Sequence, residues 1–211
     1  MKLRRQKPNL FLFLLIALSF GCLAILPEVG SAVSDNKTLA VGAKMENFTL
    51  ADATGKSQSF DSLKGRNGTV IIFLSVQCPV VNKFYKDRIL EISKEYQAKG
   101  VNFVGLNANS NETADQIKSN IQERGYAFPV LIDKGNVIAD KLGATKTPEV
   151  FYFNAENKLV YRGAIDNDRS GDNVSSRTNY LRDALDQTIA GKPVAKSETE
   201  GFGCSIKRAS K

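Results

Sequence analysis

Hydrophobic and polar positions along the chain fall into blocks of different period, and the blocks read as alternating strands and helices. Residues 70–74 (VIIFL) are an unbroken β-branched and aromatic run with no polar face, as in a central strand covered on both sides. After them, Val81, Phe84, Tyr85, Ile89, Ile92 and Tyr96 recur at helical spacing, and Pro79 suits a first helical turn, where no N–H is needed. Gly100 is placed as a C-cap, and residues 101–106 (VNFVGL) follow as a second mostly apolar strand. Strand, helix, strand implies a right-handed parallel unit. Beyond the polar loop 107–111, Thr113 and Gln116 have capping-box spacing, Ala114, Ile117 and Ile121 form an apolar helical face, and Gly125 ends it. Residues 128–132 read as short and extended, and Val137–Leu142 as a short helical piece. Thr147-Pro148 precedes a compact apolar strand at 150–153, and 158–163 alternates as its antiparallel partner after a turn at 154–157. Tyr180, Leu181, Ala184, Leu185 and Ile189 mark a last amphipathic helix, stopped by Gly191 and Pro193.

The flanks are less regular. Residues 48–60 suggest two short strands about a Thr54-Gly55 turn, a hairpin preceding the core, and 33–44 read as a loose polar lead-in. Residues 1–32 have the form of a targeting segment: a basic head (Lys2, Arg4, Arg5, Lys7), an apolar run over 10–26 and a small-residue exit at Gly30-Ser31-Ala32. Cleavage near Ala32 competes with retention as an N-terminal membrane anchor, and either way the protein is exported to a periplasmic or other extracytoplasmic space. This divides the chain into a leader (1–32), one domain (33–192) and a polar tail (193–211) that carries Cys204. No internal repeat is visible.

Charge and composition then exclude more than they indicate. Residues 1–32 hold four basic residues and one acid, so without them 29 basic and 22 acidic residues become 25 and 21, and the formal +7 falls to +4. The basic residues are scattered without interleaved aromatics, which is not the footprint of a nucleic-acid binder. Histidine is absent altogether. That rules out Ser-His-Asp triads, Cys-His dyads, His-ligated zinc or iron and c-type haem attachment, so no metal or other cofactor is expected.

What remains as chemistry is thiol. Cys22 would leave with the leader, so Cys78 and Cys204 are the surviving cysteines, a pair that an oxidising compartment could join. Cys78 stands at the junction between the first core strand and its helix, where free backbone N–H groups and the helix dipole favour a thiolate. A buried, inert thiol is the bland alternative. For Cys204 the alternatives are a resolving cysteine and a structural one pinning the tail.

The order hairpin, β, α, β, α, Thr-Pro, β-hairpin, helix resembles the thioredoxin fold: an α/β architecture with a central mixed β-sheet flanked by helices, here with an N-terminal β-hairpin extension. More narrowly, Cys78-Pro79-Val80-Val81, Gly143-Ala-Thr-Lys-Thr-Pro-Glu-Val-Phe151, Tyr161-Arg-Gly-Ala-Ile-Asp166, Ala190-Gly-Lys-Pro193 and Gly203-Cys-Ser-Ile206 resemble the peroxiredoxin-like redoxin family of exported bacterial proteins. The resemblance implies a thiol oxidoreductase or antioxidant protein, with Cys78 as reactive cysteine and Pro148, after Thr147, as the cis-proline facing it. Its partners would be a peroxide or a protein disulfide, and an external thiol reductant. Two departures bear on this. Val81 stands where a thioredoxin carries its second cysteine, so no local dithiol can form. In the peroxiredoxin pattern Pro-x-x-x-Thr/Ser-x-x-Cys, Ser75 fits but the proline position is Ile71. Lys146, just before the Thr-Pro, replaces a cysteine found in some relatives and could place a cation near Cys78. The runner-up reading is a non-enzymatic binding module with a structural Cys78–Cys204 disulfide. Arg162 and Arg169 are read as surface arginines rather than substrate ligands.

The leader has a direct test. Intact mass of the protein from an envelope fraction should give a mature N-terminus near Val33; recovery of the full chain, tightly membrane-bound, would establish the anchor instead.

Overall fold

Residues 38–210 are described by the computed structural model, and they are built around the strand that the sequence marks most strongly. In chain order the elements are β1 (Thr49–Ala51), β2 (Ser57–Ser59), β3 (Thr69–Leu74), α1 (Lys86–Ala98), β4 (Asn102–Asn107), α2 (Ala114–Arg124), β5 (Val130–Ile132), α3 (Val137–Leu142), β6 (Lys146–Thr147), β7 (Glu149–Phe153), β8 (Leu159–Gly163), α4 (Tyr180–Ile189) and β9 (Cys204–Ser205). The main sheet has the order β5-β4-β3-β7-β8: β3 runs parallel to β4, β4 parallel to β5, and β7 and β8 are antiparallel. This is the thioredoxin-like mixed sheet, with β3 at its centre.

Every residue of β3 is buried because each face of the sheet is covered. Val70, Ile72 and Leu74 pack under α1 and α4 with Ile89, Ile92, Tyr96, Leu181 and Leu185. Ile71 and Phe73 face the opposite layer, with Leu106, Phe151, Phe153 and the α3 residues Ile138 and Leu142. The alternating pleat sends successive side chains to opposite layers, so a strand covered on both sides must be apolar throughout. The hairpin β1–β2 forms as the sequence suggests, and at Asp52 it bridges to Leu131 on the β5 edge.

Four expectations are corrected. The helix after Cys78 does not start as an α-helix: Val80–Tyr85 is a π-helical stretch, and α1 proper begins at Lys86. A π turn holds more residues than an α turn, and Phe84, expected on the apolar face, is 43% exposed while Tyr85 is buried. The lead-in is not loose over its described part, since Leu39 N donates to Lys141 O, and Gly42 N to Leu159 O. Nor is the tail beyond 192 an appendage. Arg162 N donates to Ser197 O and Thr199 N to Arg162 O, extending the β8 edge, and β9 pairs with β6. Ile206, beyond β9, is buried in the second layer. Finally, Arg162 and Arg169 are both engaged with the tail, Arg162 in an ion pair with Glu198 (3.0 Å) and Arg169 over the Phe202 ring (4.6 Å). The basic head, the 10–26 apolar run, Gly30-Ser31-Ala32 and Cys22 lie outside the described residues.

The end of the π-helical stretch is anchored by buried charge. Arg88 Nη1 lies 2.7 Å from both Asp166 carboxylate oxygens and from Asp168 O, and Tyr85 donates its hydroxyl to Asp166 at 2.9 Å. Arg177 pairs with Asp168 at 2.7 Å. Arg88→Ala would leave a carboxylate whose side chain is 2% exposed with the Tyr85 hydroxyl, the Asp168 N–H and Arg177 at 4.0 Å but without its close ion pair, and removing one partner of such a pair costs on the order of 3–5 kcal/mol. Urea unfolding should show that loss, with Arg88→Lys recovering only part because a point charge cannot reproduce the planar fork.

Candidate thiol site

Two loops converge on Cys78, and each is held by a buried carboxylate. On the first, between β3 and the π-helical stretch, Glu112 receives the Ser75 hydroxyl (2.6 Å) and the backbone N–H groups of Val76 (2.9 Å) and Gln77 (3.0 Å), and Asn107 Nδ2 at 2.6 Å. On the second, Glu149 Oε2 receives the N–H groups of Thr145 (2.7 Å) and Lys146 (2.9 Å). With two backbone N–H groups each, the two carboxylates fix the backbone on which the site is built. The Thr147–Pro148 peptide on the second loop is cis.

Between the loops lie the two thiols. Cys78 is 1% exposed and Cys204 half-buried, and their sulfurs stand 2.7 Å apart as free cysteines, a sub-ångström movement from the S–S bond length of about 2.05 Å. Thr147 O lies 3.1 Å from Cys78 Sγ. A thiol has one proton to give, so with Cys78 S–H on this carbonyl the hydrogen between the sulfurs comes from Cys204. The chain of donation runs Cys204, Cys78, Thr147. Burial, then the hydrogen bond and charge of the Cys78 sulfur, push the Cys204 thiol up to about 11, against the Val80 N–H and the Lys207 ammonium.

Cys204 arrives there through β9. Thr147 pairs with Cys204 and Lys146 with Ser205, and Thr147 Oγ1 donates to Cys204 O at 3.4 Å. Gly203 makes the crossing feasible: its φ is +143°, and a Cβ there would collide with the Thr147 carbonyl. Gly163 does the same upstream, where a Cβ would strike Thr199 O. Past β9 the tail stays tied down, with Lys207 N donating to Asn109 Oδ1 and Ala209 N to Asn136 Oδ1.

The five residues singled out from sequence are therefore brought together unequally. Cys78, Cys204, Thr147 and Pro148 meet, with the Thr147 carbonyl rather than its hydroxyl against Cys78. The Ser75 hydroxyl is occupied by Glu112 and by the Gln77 N–H (3.2 Å). The Lys146 Nζ lies on Ser205 Oγ at 3.3 Å, beside Cys204 on the tail strand. The helix-end N–H of Val80 acts on Cys204, favouring its thiolate. Sequence reasoning missed Glu149 and Glu112. Glu149 carried a signal, a lone acid opening an otherwise apolar strand; Glu112, in a polar loop, carried none.

Comparison with known proteins fits this geometry. The Redoxin family model matches residues 40–181. Thiol-disulfide oxidoreductase ResA from Bacillus thuringiensis (strain Al Hakam) is 29% identical over 127 residues, 60% of this chain and 71% of the relative. Among solved structures, an uncharacterized conserved protein from Geobacillus kaustophilus superimposes with a TM-score of 0.75 at 29% identity, covering 83% of this chain and 95% of that one. A hypothetical protein from Sinorhizobium meliloti 1021 does so with a TM-score of 0.74 at 28% identity, covering 83% and 98%.

The Cys204 thiol gives a pH prediction. Its native pKa is raised from 9.0 to about 11, so between those values the native state holds a proton that the unfolded chain has released. Stability of the reduced protein should fall as pH rises through that window. Alkylation of Cys204 should climb with pH toward about 11, and Cys78→Ala should lower the midpoint; an unmoved midpoint would mean the neighbouring sulfur is not a cause.

Proposed function

The chain belongs to the redoxin family, and from that premise we propose that it is an exported thiol-disulfide oxidoreductase whose working couple is Cys78 and Cys204. The observation that carries the reading is the meeting of the two sulfurs at 2.7 Å across 126 positions of sequence. Closing the bond between them releases two electrons and two protons, which convert a substrate disulfide to a dithiol; opening it takes the same from an external thiol reductant. The name of the Bacillus relative, a thiol-disulfide oxidoreductase, supports this class of reaction. The substrate is then a protein disulfide or dithiol outside the cytoplasm, an address that rests on the basic head and apolar run of the leader.

A peroxide substrate has less support. Reduction of peroxide needs an accessible thiolate and donors to hold the peroxide, whereas Cys78 is 1% exposed and the Ser75 hydroxyl is committed to Glu112. Ile71, in place of the peroxiredoxin proline, is a core residue of β3.

A redox titration of the mature protein, read by mass after alkylation, tests the couple. The expected result is one two-electron transition at a potential above about −300 mV, the level below which structural disulfides of secreted proteins lie. Turnover of a protein disulfide should accompany it, and Cys78→Ser or Cys204→Ser should abolish it. A bond that stays closed below that potential, with no turnover, would leave a binding module whose disulfide pins the tail.

A further inference from the structure

The two sulfurs are not equivalent to a partner in solution, and their inequality runs opposite to the order suggested by sequence. Cys78, at the strand–helix junction, is 1% exposed and belongs to the core cluster with Val81, Tyr126 and Ile165. Cys204 is half-buried, on a strand whose next residue, Ser205, is exposed. The tail is what covers Cys78 from the side of the second loop, because β9 lies on β6 with the Gly203 backbone directly against the Thr147 carbonyl.

Given the Cys78–Cys204 couple of the preceding section, on which this rests, we propose that Cys204 is the sulfur that partner thiols attack and that Cys78 is the buried leaving thiol. An incoming thiolate approaches along the S–S axis from the side opposite the leaving sulfur. Only the tail sulfur offers an approach from solvent. The partner thiolate forms a bond to Cys204 Sγ, the Cys78–Cys204 bond breaks with its electron pair on Cys78, and Cys78 takes up a proton. A second partner thiolate then attacks the partner sulfur of this mixed disulfide. The partner leaves as its own disulfide, oxidised by two electrons, and Cys204 is released as a thiolate and protonated. The partners selected are thiols that can reach the tail strand, a class that includes cysteines of other proteins.

The oxidised wild-type protein tests this with glutathione as the probe. Brief exposure, a maleimide quench and peptide mass mapping locate the mixed disulfide. Glutathione should be found on Cys204 with maleimide on Cys78, in excess over the reverse arrangement by about tenfold or more, as access dictates. Gly203→Val, which cannot keep the tail against Thr147, should shift the adduct toward Cys78 several-fold. Adduct mainly on Cys78 in the wild type overturns the assignment while leaving the exchange reading intact. An adduct distribution indifferent to Gly203→Val overturns the tail as the cause of the shielding. No adduct and no thiol release removes both the assignment and the exchange couple beneath it.

Discussion

The site depends on a short backbone pairing: two residues of β9 against two of β6, made at the point where the chain carries glycine. Two strand residues contribute little stability alone, so the pairing persists because the tail is tied on both sides of it. Upstream, Thr199 accepts the Ala164 N–H through its side chain (2.9 Å) and meets the Tyr161 hydroxyl (2.7 Å). Downstream, Ile206 N donates to Thr145 O and Ser110 N to Lys207 O. Between these anchors the register has no freedom, and register decides which side chain faces Cys78. A slip of one residue would turn Cys204 away and offer Ser205 or Gly203 instead.

How much of this is legible in sequence follows from the range of the interactions involved. Local signals succeeded: the apolar run of β3, the Thr113–Gln116 capping box, both halves of which form, and the Thr-Pro before β7. Each is decided by residues within a few positions of one another. Most of the failures are nonlocal. Polar residues such as Ser197, Glu198 and Thr199 look like free tail because their partners are the β8 backbone and Arg162, about 35 positions earlier, and hydrophobicity patterns carry no information about backbone partners. The lead-in at 39–45 misled for the same reason. Phe84 is different: its spacing is helical, but the π-helical stretch changes the phase, and nothing in the composition of Val80–Tyr85 announces that.

The site itself was half legible. Cys78, Thr147, Pro148 and Cys204 stood out by residue type and family pattern, whereas the tail's approach to Cys78 did not. The helix end was legible as a source of free N–H groups, but not that the tail would bring a second sulfur there: the Val80 N–H lowers the Cys204 thiol, and the Thr147 carbonyl faces Cys78.

The absence of histidine sharpens the consequence. There is no imidazole to take and return protons, and the chain Cys204, Cys78, Thr147 O is the hydrogen-bonded route described within the site. That route suits covalent exchange between sulfurs, where the electron pair passes from one sulfur to the next. It offers no imidazole for general acid–base work. On the couple proposed above, the burial of Cys78 has a chemical function rather than being an obstacle. A sulfur that solvent and small oxidants cannot reach is protected from progressive oxidation to sulfinic and sulfonic acids, while the tail cysteine, held one sub-ångström movement away, keeps it in communication with thiols outside.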